Sequence, residues 1–157
     1  MTTEDERREI RRRHLREVRH GTSGCGVHHV TLISGDVERT IRFYQDVLEF
    51  PLTTVAENPG HEGSSRVLFD VGDGDLLAFA DFPGLALPAY REVLGGLHHI
   101  AIRVPPERWS RLRGRLDEAR VPYHQENGVS LRFADPDGTP LELTAAPPAE
   151  AESPHRR

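Results

Sequence analysis

The chain has 157 residues, 36% of them hydrophobic and 29% charged, with a formal net charge of -5; that length allows one domain with a sizeable core, and no apolar run is long enough to span a membrane. The acidic balance argues against general nucleic-acid binding, which needs a basic face, and the single cysteine, Cys25, excludes an intrachain disulfide or a thiolate metal cluster. All 20 basic residues are arginine, so neither a lysine Schiff base nor a Walker-type phosphate loop is available.

Residues 1–24 form a charge-dense arm in which Glu4, Asp5, Glu6 and Glu9 precede Arg11, Arg12 and Arg13, with only Ile10, Leu15 and Val18 as apolar content. So thin a stripe predicts a solvated helical arm rather than a buried helix; a partner-binding or dimer-capping arm is the alternative. The charged start lacks the apolar stretch of a secretory signal, and a reducing cytoplasm is the expected compartment. Gly26-Val27-His28-His29-Val30-Thr31-Leu32-Ile33 then reads as a strand from its alternation and β-branched content. Asp36 is placed to N-cap a helix carrying Val37, Ile41, Tyr44, Val47 and Leu48 on one face and ending near Phe50. Leu52 to Ala56, Ser65 to Val71 and Leu76 to Ala80 read as strands, the last two joined by the hairpin step Asp73-Gly74. The first half is thus β-α-β-β-β, and residues 83–95 read as a linker.

The order then repeats. Gly96-Leu97-His98-His99-Ile100-Ala101-Ile102-Arg103 restates the first strand at a constant offset, 99 − 29 = 70, which marks an internal duplication. Pro105-Pro106 opens a second helix with Trp109, Leu112, Leu116 and Ala119 as its stripe. Pro122 to Gln125, Val129 to Ala134 and Pro140 to Ala145 complete the second module, with Asp135-Pro136-Asp137-Gly138 as a turn. The reading is a single domain over 25–146, with modules 25–82 and 96–146, followed by a tail at 147–157 whose composition predicts disorder.

Laying Asp73-Gly74 on Asp137-Gly138 sets Leu77-Ala78-Phe79 on Leu141-Glu142-Leu143. Glu142 therefore stands between two leucines of a strand expected to be buried, where a carboxylate needs a partner or a cation. Neighbouring side chains of a strand point to opposite faces, so only one histidine of each doublet looks into a given site. His29 and His99 are the choice, with Thr31 and Ala101 on the same side. Two neutral imidazoles and a carboxylate are the ligands of the facial triad, which leaves metal positions open for substrate or dioxygen. The alternative is that the histidines are ordinary hydrogen-bonded strand residues and that Glu142 pairs with Arg132 or Arg103. His14, His20, His61, His124 and His155 lack repeat register and read as surface residues, with His124 and Tyr123 as candidate pocket-lining groups. Cys25 reads as a semi-buried thiol near the first doublet.

His29-Val30-Thr31, Asp36-Val37-Glu38, Phe43-Tyr44-Gln45-Asp46-Val47-Leu48, Asp135-Pro136-Asp137-Gly138 and Leu141-Glu142-Leu143 together resemble the vicinal oxygen chelate superfamily, over roughly residues 26–146. The resemblance implies an α+β fold in which two tandem β-α-β-β-β modules form an open barrel-like cup around a divalent metal, with ligands at His29, His99 and Glu142. The fourth ligand position, a carboxylate in glyoxalases, holds Ala78; this leaves the three-ligand pattern of extradiol dioxygenases and fosfomycin-type transferases. Both groups often carry a tyrosine ten residues before the last carboxylate, where this chain has Arg132. Thr31 matches a pocket threonine of the fosfomycin group, and Gly128 and Ser130 fall in its monovalent-cation loop. The lysine that clamps the phosphonate has no counterpart, and extradiol enzymes of the usual kind carry four modules rather than two.

The expected activity is that of a mononuclear divalent-metal enzyme on a small oxygen-chelating substrate, with an extradiol-type dioxygenase on a phenolic or catechol-like compound as the first choice. Fe2+ is favoured over Mn2+, Ni2+ or Zn2+, and Arg132, Thr31 and Tyr123 are the residues expected to orient the substrate. A glyoxalase-like lyase or isomerase, a fosfomycin-type transferase and a non-catalytic drug- or metabolite-binding protein are the alternatives. A homodimer is expected, the cup closing either within one chain or by exchange between two.

Overall fold

Each half of the chain builds its own four-stranded sheet, and the two have the same strand order. In the first, β1 (His29–Ser34) runs parallel to β4 (Asp75–Asp81), β4 antiparallel to β3 (Ser65–Gly72), and β3 antiparallel to β2 (Leu52–Glu57). In the second, β5 (Ile100–Arg103), β8 (Pro140–Thr144), β7 (Ser130–Ala134) and β6 (Tyr123–Glu126) repeat those pairings. The sheets do not close into a barrel, and the architecture is the duplicated α+β arrangement expected. This computed structural model describes residues 3–14, 26–86 and 88–145. The readings of Cys25, His20, His155 and the 147–157 tail fall outside them.

Among the described residues three α-helices accompany the sheets: α1 (Glu4–His14), α2 (Val37–Ile41) and α3 (Pro106–Glu118). Asp36 caps α2 as its sequence position suggests, its carboxylate accepting the Arg39 N–H at 2.9 Å. A continuous α-helix to Leu48 does not form; Arg42–Val47 is a π-helical turn, and the Leu48 N–H bonds to the Phe43 carbonyl five residues back at 3.1 Å. The wider turn lets two adjacent aromatics enter the core. Phe43 meets Phe133 with ring centroids 6.3 Å apart, while Tyr44 lies 4.7 Å from Phe79. By contrast, α1 buries none of its residues and is laced by pairs such as Arg7–Glu4 and Arg12–Glu9, both at 2.7 Å. Among the described residues no helix is long and apolar enough to cross a membrane.

The helices cover one face of each sheet, and those covered faces merge into one core. Phe43, Leu48, Phe69 and Phe79 of the first module belong to the same cluster as Trp109, Leu116, Leu131, Phe133 and Leu143 of the second. A polar contact crosses this junction: the buried Tyr44 hydroxyl donates to Asp135 at 3.0 Å, and Asp135 also accepts the N–H groups of Asp137 and Thr139 at 2.9 and 2.8 Å. Arg39 of α2 reaches Asp137 in the same turn at 2.6 Å. With their helix sides spent on each other, both sheets keep the opposite face uncovered. Those two faces carry the candidate site.

Candidate metal site

The uncovered face of the second sheet is polar. Strand pairing sets Ala101 opposite Glu142, Glu142 opposite Arg132, and Arg132 opposite His124, so the four form one row across it. The Glu142 side chain is only 13% exposed and is well partnered. Ser130 donates its hydroxyl to Oε1 at 2.7 Å, Arg132 Nη2 lies 3.3 Å from Oε2, and His99 Nε2 lies 3.4 Å from the same oxygen. Arg132 Nε is also 3.2 Å from Glu126 Oε2, so its guanidinium stands between two carboxylates. Pairing of Glu142 with Arg132 therefore coexists with its approach to His99. Arg103 takes no part, since it donates to Asp73 at 2.8 Å.

The face of the first sheet that carries His29 and Thr31 is mixed: register adds Thr54, Arg66 and Asp70 to it beside Leu68, Leu76, Ala78 and Ala80. Register places Thr31 beside Ala78 and Leu68, and Ile33, 48% exposed, beside Ala80. In both modules the two histidines of a doublet touch: Nδ1 of His28 is 2.7 Å from Nδ1 of His29, and Nδ1 of His98 is 2.6 Å from Nδ1 of His99. His98 Nε2 in turn lies 3.2 Å from Glu92 Oε1.

The structure assembles His99 with Glu142 but does not bring His29 to them within one chain. Among the described residues no three His, Cys, Asp or Glu side chains form a metal-holding group. The shared core explains this: the sheets meet through their helix-covered sides, so the ligand candidates sit on separate uncovered faces. Cavities of about 560 Å³, lined by Ile33, Tyr90 and the Pro136–Thr139 turn, and about 460 Å³, in the Glu57–Glu62 loop, include none of the three.

Tyr123 is placed elsewhere. It pairs with Phe133 and packs against the core, and burial together with its hydrogen bond to Asp117 holds the hydroxyl above the ordinary phenol range. It thus lies on the core side of its strand, apart from the row of His99, Glu142 and Arg132, while His124, one residue on, lies on the open face. Sequence reasoning also missed Ser130 as the donor to Glu142 and Glu126 as the second carboxylate on Arg132. Alternation along β7 and pairing across the hairpins were the signals that could have found them.

Residues 26–143 match the Glyoxalase/Bleomycin resistance protein/Dioxygenase superfamily. The chain belongs to this superfamily. Its fold is similar to the glyoxylase/bleomycin resistance protein/dioxygenase domain from Frankia sp. EAN1pec, with a TM-score of 0.69 and 23% identity, covering 80% of this chain and 100% of that one. It is also similar to the fosfomycin resistance protein FosX from Mesorhizobium loti, with a TM-score of 0.60, 22% identity and coverage of 83% and 98%. The trypanothione-dependent glyoxalase I of Leishmania major gives a TM-score of 0.63 at 24% identity, covering 77% of this chain and 86% of that one. Likenesses at this level concern the fold alone. A comparison with the curated proteins finds no match. Members of the superfamily, also called vicinal oxygen chelate proteins, typically bind a divalent metal. Two of the three donors expected here suit one: an imidazole nitrogen and a carboxylate oxygen face each other at 3.4 Å on a shielded surface.

Proposed function

We propose that the protein is a cytoplasmic homodimeric metalloenzyme whose mononuclear site draws His99 and Glu142 from one copy and His29 from the other. The observation that carries this reading is the split itself: each chain offers one face with two donors and another face with the third. Closing one upon the other would make a cup with unlike walls. A divalent ion held there, Fe2+ as first choice over Mn2+, Ni2+ and Zn2+, supplies a Lewis-acid centre for substrate oxygens.

The chain's own residues set what could bind beside it. Arg132 presents a guanidinium suited to an anionic or enolate-like oxygen. Thr31 offers a hydroxyl on the facing wall, where Ile33, Ala78 and Leu68 form an apolar stretch flanked by Arg66 and Asp70 that could take a ring. Ala78, in place of a fourth ligand, leaves coordination positions open. These features favour an extradiol-type dioxygenase acting on a phenolic or catechol-like compound over a lyase, isomerase or transferase. The contacts of Glu142 with Arg132 and His99 give the non-catalytic binding protein its own footing, because that face is partnered without an ion.

The test is metal content by mass spectrometry on untagged protein prepared anaerobically, beside His99→Ala, followed by oxygen uptake with catechols. Stoichiometric iron, lost in the variant, together with catechol-dependent oxygen consumption is the expected result. Nickel, manganese or zinc at that level moves the reading to lyase or isomerase chemistry. No metal even after reconstitution overturns the enzyme reading.

A further inference from the structure

Arg66 stands apart from the other arginines of the two sheets. Register along β3 puts it on the face that carries His29 and Thr31, in a row that reads Ile33, Ala80, Arg66, Ala56 across β1, β4, β3 and β2. The side chain is half-buried, and its Nε atom is enclosed with no hydrogen-bond partner among the described residues. Arg132 of the second sheet also has an enclosed Nε, but carboxylate oxygens of Glu126 and Glu142 lie 3.2 and 3.3 Å from its guanidinium, and Arg103 has Asp73. Arg66 has alanines as its cross-strand neighbours and Leu68 two residues along the same face, and none of these side chains accepts a hydrogen bond.

A half-buried guanidinium with an enclosed, unmatched N–H works against stability, because that group gives up water without gaining an acceptor. The chain has 25 acidic residues to 20 basic ones, so acceptors are in ample supply, and a buried donor is ordinarily given one. The same apolar neighbours strengthen any acceptor that does arrive, since a charge-assisted bond gains where water is thinned. One guanidinium with no second cation in its row suits a planar, singly charged group. A carboxylate takes two parallel N–H bonds from the fork, whereas a phosphonate or phosphate dianion would leave charge unmatched.

We propose that Arg66 is the anion anchor of the cup and that the substrate carries a carboxylate set apart from its chelating oxygens. The spacing follows from the sheet. Arg66 lies two strands across from β1 and one row beyond Thr31, which is about 10 Å sideways and about 7 Å along the strands. The arginine side chain spans part of that gap, so the carboxylate sits about a ring's breadth from oxygens gathered near His29 and Thr31. That separation rests on the metal reading above, which puts the oxygens there; the anion site itself does not.

The experiment separates the two. Anaerobic calorimetric titration of the parent should show 3,4-dihydroxybenzoate binding about 10- to 100-fold more tightly than catechol. Arg66→Gln should remove that margin and leave catechol as it was, while Arg66→Lys, which keeps the charge without the fork, should retain part of it. Benzoate has no chelating oxygens and isolates the anion site. It should shift the Arg66 Nε–H signal in nitrogen-15 spectra of the parent, with or without a chelator, and should bind more tightly than phenylphosphonate. No response to benzoate overturns the proposal, as does a margin that survives in Arg66→Gln. Tighter binding of phenylphosphonate, or equal affinity for catechol and its carboxylate derivative, overturns the substrate class. An Arg66→Gln chain that no longer pairs, by sedimentation, where the parent is a dimer, overturns the anchor in favour of a carboxylate from the second copy. If benzoate binds and catechol does not, the metal reading fails and the anion site stands.

Discussion

Tyr44 and Asp135 form the polar contact that joins the modules, and their burial gives it a pH signature. Burial pushes the Tyr44 hydroxyl well up, and it pushes the Asp135 carboxyl up despite the Thr139, Tyr44 and Asp137 donors that pull it down. The folded chain therefore holds this proton to higher pH than the unfolded chain, so stability from Asp135 is full in acid and is lost as pH rises through the raised value. Asp135→Asn keeps an oxygen for the two backbone donors and does not titrate. Urea unfolding should show the variant gaining on the parent as pH rises from about 4 to 7; a difference that stays constant with pH would sink the assignment. Tyr44→Phe, by removing a donor from a buried carboxylate, should cost about 2 kcal/mol in the same experiment. At this scale Glu142 was legible because a carboxylate between two leucines contradicts its surroundings. Tyr123 was not, since the four residues of β6 alternate equally well from either face and only pairing with Phe133 decides.

Two elements make separable predictions. The β3–β4 hairpin turns through Asp73 and Gly74, both at positive φ, 54° and 86°, and a Cβ added at Gly74 meets nothing within 4 Å. Gly74→Val should therefore cost only the backbone penalty, about 1–2 kcal/mol by thermal or urea unfolding, and a larger loss would mean that the turn packs on something. In α1, the Arg7 and Arg11 guanidinium groups hold the Glu4 carboxyl below its ordinary value, and Arg12 and Arg13 do the same for Glu9. Lowered carboxyls stabilise above their ordinary range and lose that contribution as pH falls through the lowered values. Backbone carbon shifts of α1 should thus drift toward coil on acidification and in high salt, while those of β1 to β8 stay. The start and apolar face of α2 could be read from Asp36 and a 3.6-residue period; the π turn could not, because its cause is the neighbouring Phe43 and Tyr44 finding separate core partners.

For the whole molecule the decisive arrangement is which faces meet. Periodicity could not reveal it, because β4 reads Leu76-Leu77-Ala78-Phe79-Ala80, apolar on both sides, and either face could have taken the helices. The duplication gave the modules and their strand order, while the separation of His29 from His99 follows only from the shared core. If two copies complete each other's cups, His29→Ala and His99→Ala chains refolded together should regain metal that neither binds alone, since a mixed dimer holds one intact and one doubly broken site. Recovery absent from mixed dimers confirmed by mass would refute the exchange. Bound metal should also raise stability, by about 2.7 kcal/mol at a free concentration 100-fold above Kd, so a chelator should lower the melting temperature of the parent and leave His99→Ala unmoved.

The continuous core has an ancestral consequence. A half-length chain, as it stood before the gene doubled, had no sister module, and the groups that meet across the junction, Phe43 against Phe133 and Tyr44 against Asp135, would have lacked their partners. Pairing with a second copy would have supplied those partners, and the linker at 83–95 would then make such a partnership permanent. Fragments 1–86 and 88–157 should retain that history: poorly folded apart, they should form sheet structure by circular dichroism when mixed, whereas a half that folds alone would place the fusion before the partnership.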